Sequence, residues 1–140
     1  HSAGRWSLLW GLENLNRQKT ADATCRLLLK RYGVIFREVL VRETNLVPWR
    51  ELLMSLRRME DRGEVRGGRF VSGFLGEQFA LPLAVDSLRA FRKRQAPEAQ
   101  YTIAACDPLN LGGILIPGDK IPAVPGRLIQ VINGARVVKI

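Results

Sequence analysis

The residues best equipped for chemistry in this chain are arginines, and the chemistry they suit is capture of a polyanion. Between Pro48 and Ser72, Arg50, Met54, Arg57, Arg58, Asp61 and Arg62 fall on one face at helical spacing. Trp49, Leu52, Leu53, Leu56 and Met59 fall on the other. Ser55 lies between them and joins Arg50, Met54 and Arg58 as a candidate contact. Two β-prone runs follow, Val65-Arg66 and Arg69-Phe70-Val71, on either side of Gly67-Gly68. That spacing predicts a two-residue hairpin with an arginine on each side of its tip. A guanidinium stays charged at every ordinary pH and forks onto phosphate oxygens. A helix with one apolar and one arginine face, followed by a basic hairpin, is the sequence form of a winged-helix recognition element. Glu51, Glu60, Asp61 and Glu64 stand among the cations and can pair with them locally. A solvated surface helix, or a protein-docking face, is therefore the alternative reading of the same stretch.

Other chemistries lack their parts. His1 is the single histidine, so neither a Cys/His zinc site nor a nucleophile paired with an internal histidine can be assembled. Gly73 and Gly76 punctuate a loop, but no Gly-Lys-Ser/Thr follows them, so no ATP site of the P-loop type is expected. Cys25 and Cys106 are expected as buried free thiols in a reducing cytoplasm, with a disulfide between them as the alternative. The 140 residues carry 22 Lys plus Arg against 13 Asp plus Glu, a formal net charge of +9 that favours a polyanionic partner. No segment reads as a bilayer span, and the basic residues are interleaved with core-type positions. Nucleic acid is thus the better polyanion than a membrane surface.

The elements that must position these residues read in winged-helix order. Thr20–Tyr32 is a first helix with Thr20 as its cap, and Val34-Ile35-Phe36 is a brief strand to pair with the wing. Arg37–Glu43 is a short second helix, and Pro48–Arg62 the third, with Pro48 in its first turn and Gly63 past its end. Gln78–Leu81 adds a strand. Pro82 opens a helix to Arg94 with Ala84, Val85, Leu88 and Phe91 inward; Lys93 and Arg94 at its end are further candidate phosphate contacts. Pro97 marks a boundary. Beyond it Tyr101–Ala105, Leu128–Ile132 and Ala135–Ile140 read as strands, the last two joined by a type I′ turn at Asn133-Gly134. The expected fold class is α+β: a winged helix-turn-helix at 16–95, then a partial small β-barrel at 96–140. Residues 1–15 are expected as an N-terminal packing segment with a tag-like start. The apolar terminal strand Val137, Val138, Ile140 suggests that the natural protein continues.

Three segments together carry a family resemblance: LLLKRYGVIFREVL (27–40), PWRELLMSLRRMEDRGEVRGGRFVSGFLGEQFALP (48–82) and AACDPLNLGGILIPGDKIPA (104–123). They resemble the C-terminal region of bacterial Lhr proteins, the large helicase-related superfamily 2 ATP-dependent DNA helicases. The resemblance implies a non-motor piece of a DNA repair helicase, with ATP and Mg²⁺ confined to upstream motor domains and no cofactor in this piece. The implied partners are DNA, single-stranded or forked, or a DNA/RNA hybrid, and the helicase domains of the same protein. A fainter resemblance, at Ala104–Leu109 and the Asn133-Gly134 hairpin, is to the barrel of bacterial DNA glycosylases that combine tandem winged helices with a β-barrel. Uracil-DNA glycosylase activity is also associated with the C-terminal part of some Lhr proteins. It makes Asp107 the candidate catalytic carboxylate, able to stabilise an oxocarbenium-like sugar or orient a water. Asp107-Pro108 is equally the opening of a turn, its side chain bonding its own backbone. No Gln-x-Asp or Gln-x-Gln motif of the alkyl-base enzymes occurs, so activity of this piece alone is not expected. Three readings stand open: a nucleic-acid-binding module, part of a glycosylase site, and a docking or spacer domain.

Overall fold

A computed structural model describes residues 16–93 and 99–139. The expected N-terminal packing segment and Arg94 lie outside them. Helix α1, Arg17–Tyr32, begins one turn earlier than Thr20. Asn16 is the cap: its side-chain oxygen accepts the Gln18 N–H at 3.0 Å, leaving Thr20 within the helix. Strand β1 is Val34–Ile35, followed by a 3-10 helix, Arg37–Arg42, and then α2, Trp49–Asp61. Pro48 stands at the cap position of α2, its carbonyl accepting the Glu51 and Leu52 N–H groups. At the other end Gly63 takes φ +73°, which a side chain would resist. Strands β2, Arg66–Gly68, and β3, Gln78–Ala80, complete an antiparallel sheet in the order β1-β3-β2.

Gly67-Gly68 is not the hairpin turn. Both glycines sit inside β2, opposite Phe79 and Gln78, and the wing is the longer connection 69–77. The glycines serve close approach instead. A Cβ at Gly67 would collide with Glu60 Oε1, where that carboxylate accepts the Gly67 N–H at 2.9 Å. A Cβ at Gly68 would touch the Phe70 ring at 3.0 Å.

The core lies where α1 and α2 cover this sheet. Cys25, Leu28, Ile35, Leu52, Leu56 and Phe79 are each at most 1% exposed. The apolar spacing of the sequence thus converts into one buried cluster, the main favourable term in folding. Helix α3, Pro82–Lys93, is less embedded than expected. Val85 is buried, but Leu88 is 45% and Phe91 68% exposed, because no described element covers that flank.

The C-terminal third is a separate antiparallel sheet, β4 (Gln100–Ala104), β5 (Leu128–Ile132) and β6 (Arg136–Lys139), in the order β4-β5-β6. It is a three-stranded sheet and not a closed barrel. Asn133 and Gly134 both have positive φ, as the I′ turn requires. The β4–β5 connection carries Leu111 and Leu115 onto the winged-helix core, and Arg42 donates to the Ile121 carbonyl. Within that connection Asn110 is buried and donates to the Ala105 and Ile121 carbonyls at 2.7 and 3.2 Å. Cys25 is buried, and burial pushes its thiol up to about 11. Cys106 is a free thiol but exposed, a correction to its expected burial; it stands just past Ala105, where the chain turns away from β4.

Candidate nucleic-acid interface

The arginines of α2 divide by what they already touch. Arg57 holds Glu77, at the far end of the wing, by two bonds of 3.1 and 2.6 Å. Arg62 bonds Glu64 at 2.6 Å, and Arg26 from α1 shares that carboxylate at 3.1 Å. Arg58 turns toward α1 and meets Asp22 at 3.3 Å, with about a third of its side chain exposed. Arg50, Arg66 and Arg69 have no carboxylate partner among the described residues, nor has Lys93, and all four are exposed. Met54, 52% exposed, shares the outer face with Arg50. Exposed ion pairs are screened by water and contribute little, so a phosphate can draw Arg57 or Arg62 away at little cost. Arg58, part-buried on Asp22, is held more firmly.

Ser55 does not belong to this outer face. It is fully buried, and its hydroxyl donates to Asp22, fastening α2 to α1. The error came from spacing: position 55 is adjacent to Met54 but lies on the side of Leu52, Leu56 and Met59. The bond from Ser55 and then the Arg58 guanidinium hold the Asp22 carboxyl below its ordinary range, against the opposing effect of burial. A depressed carboxylate stabilises the fold above its unfolded pKa, and that stability drains away as pH falls through the lower folded value. Ser55→Ala is expected to cost about 1.5 kcal/mol near neutrality. The difference from the parent chain shrinks below about pH 4, readable from urea midpoints across pH.

The wing is held from inside by a residue the sequence reading passed over. Gln78 is fully buried in β3. Its Oε1 accepts the Phe70 and Val71 N–H groups, each at 2.8 Å, and its Nε2 donates to the Val71 carbonyl at 2.8 Å. A glutamine at the start of an otherwise apolar strand was the available signal. Gln78→Leu leaves three wing backbone groups unpaired and is expected to cost about 2 kcal/mol. Faster amide exchange at Phe70 and Val71 is the measurement.

Asp107 is half-buried in the turn after β4, and its Oδ1 accepts the Leu109 N–H at 2.8 Å. That is the self-bonding turn of an Asp-Pro sequence. Its second oxygen forms no bond to a described residue.

Comparison with known proteins follows the same outline. The family described as "Large helicase-related protein, winged-helix domain" matches residues 14–100, the span of α1 through α3 and both strands of the wing. The chain belongs to this family. Among curated proteins, the "Lhr helicase/uracil glycosylase" of Escherichia coli (strain K12) is 36% identical over 144 residues, covering 97% of this chain and 9% of that protein. The "Lhr helicase/ probable uracil glycosylase" of Mycolicibacterium smegmatis (strain ATCC 700084 / mc(2)155) is 32% identical over 145 residues, covering 96% and 10%. The chain thus spans about a tenth of the length of these Lhr relatives. Among the described residues no helix is long and apolar enough to cross a membrane.

Proposed function

We propose that this chain is a nucleic-acid-binding, non-motor winged-helix module of an Lhr-type ATP-dependent DNA helicase acting in DNA repair in the cytoplasm. Residues 16–95 grip DNA, single-stranded, forked or paired with RNA, while the 96–140 segment packs on that unit through Leu111 and Leu115. ATP and Mg²⁺ are used by motor domains of that protein. The observation that carries this reading is the sorting of the arginines: among the described residues, Arg50, Arg66 and Arg69 are left without a carboxylate while their neighbours are paired. Phosphate contacts of this kind position a protein without reading sequence. A fluorescence-anisotropy titration with labelled forked DNA at two salt concentrations tests it. Three phosphate contacts give a slope of log K against log salt of about −2.7 on duplex. Absence of binding at low salt rejects the reading in favour of a docking or spacer role.

A second reading is favoured by the names of both relatives, each of which includes uracil glycosylase: that Asp107 contributes to a uracil-excision site in the longer protein. Here Asp107 stabilises the sugar cation as an extruded base departs. Asp107→Asn in the full-length protein is expected to abolish alkali-revealed nicking of uracil-containing DNA and to leave DNA affinity unchanged. Unchanged nicking removes Asp107 from the reaction.

A further inference from the structure

The wing has two sides, and they differ in charge. On the α2 side, the cleft of about 530 Å³ is lined by Glu60 and Glu77 as well as Arg69. On the α3 side lies a larger groove of about 800 Å³. One wall is the first limb of the wing, from Arg69 to Phe74; the other is a single stripe of α3, Val85, Leu88, Arg89 and Arg92, at helical spacing. Three arginines line this groove and no carboxylate does. Asp86 approaches Arg89 at 3.8 Å but is not among the lining residues, and Arg69 and Arg92 have no described acidic partner. Between the cations the lining is mainly apolar, Phe70, Val71, Phe74, Val85 and Leu88, with Ser72 and Gly73 at the bend of the wing.

We propose that the groove between the wing and α3 holds a single strand of nucleic acid, with phosphates on Arg69, Arg89 and Arg92 and an unstacked base against Phe70 and Leu88. The chemistry of the lining selects the ligand. Duplex DNA presents phosphates on its outside and keeps its bases stacked, so the apolar surface would go unused. A single strand offers both phosphates and base faces, and proteins that hold one combine a cationic groove with aromatic platforms. The geometry is also fixed in advance. Gln78 pins the backbone of Phe70 and Val71 from below, and Phe74 rests on Phe36 at 4.9 Å between ring centroids. A wall held in place loses less entropy on binding.

This inference rests on the nucleic-acid reading above, deepening it by naming the form of the ligand and a second surface. The test uses the 140-residue chain with three labelled probes: a thymidine oligonucleotide, a strand of the same length made only of abasic sites, and a duplex. Arg89→Gln/Arg92→Gln changes two exposed residues of α3, and unchanged circular dichroism verifies the fold. The expected result is a salt slope on the thymidine strand shallower by about 1.4, with duplex affinity unchanged. Phe70→Leu, which keeps bulk but removes the ring, is expected to weaken the thymidine strand by about tenfold and the abasic strand hardly at all. If single-strand affinity and slope survive both variants, the groove is not the site and the inference is overturned. If both variants weaken duplex and single strand alike, the base-stacking assignment is overturned. If the parent chain binds none of the probes, the nucleic-acid reading itself fails.

Discussion

Charge reversal of Arg50, Arg66 and Arg69 together to glutamate is expected to remove duplex DNA binding at ordinary salt. Hydrogen bonds to charged groups contribute about 1.5 kcal/mol each at the low end, so three lost contacts amount to about 4.5 kcal/mol, or roughly three orders of magnitude in Kd. The three glutamates add repulsion from the phosphates. The parent chain, with three contacts on duplex, is expected to lose affinity about fortyfold between 50 and 200 mM salt; the variant is expected to show almost no such dependence. Folding should be untouched, since all three side chains are exposed and none has a carboxylate partner among the described residues. The contrasting control is Arg58→Glu. It sets a carboxylate beside Asp22 and Ser55 at the α1–α2 contact, so its first effect is on stability. A variant that binds as well as the parent while Arg58→Glu destabilises the fold would place the nucleic-acid surface elsewhere.

The largest stability effect is expected at Phe79. This residue is 1% exposed, in the central strand β3, opposite Ile35 on one side and Gly67 on the other. Truncation to alanine opens a cavity under both helices that the sheet cannot collapse, and costs about 3–5 kcal/mol. A domain of this size holds roughly 5–15 kcal/mol in total, so the loss is a large share of it. Urea unfolding should show a lower midpoint with the same slope, because the surface exposed on unfolding is nearly unchanged. The wing runs directly into β3, so the variant is also expected to release it, with faster amide exchange at Phe70 and Val71.

The winged-helix order was legible because apolar spacing reports burial. Leu52, Leu56 and Met59 on α2, and Cys25, Leu28 and Leu29 on α1, are buried as their periodicity demands. The family resemblance carried by residues 27–40 and 48–82 points the same way and is met by the family match over 14–100. The wing was misplaced because Gly-Gly is ambiguous: the pair that closes a tight turn equally permits close approach inside a strand, and only the Glu60 carboxylate against Gly67 distinguishes the two. Periodicity alone points Leu88 and Phe91 inward, but a periodic stripe is buried only if a neighbour covers it. The pairing of Arg57 with Glu77, and of Arg58 with Asp22, depends on residues 20 and 36 positions apart. No local pattern announces such pairs, so the division of arginines into tied and untied was invisible before the fold.

The most direct test of a nucleic-acid role is backbone amide chemical-shift mapping of the isotopically labelled chain during titration with single-stranded and forked DNA. The expected result is a set of shifts that grows with DNA and falls with added salt, concentrated at Arg50, Met54, Arg66 and the wing from Arg69 to Phe74, extending with single strands to Arg89 and Arg92 of α3, and sparse in β4–β6. Shifts confined to the buried flank of α2, or none at all at low salt, would contradict it and assign the winged helix to protein docking.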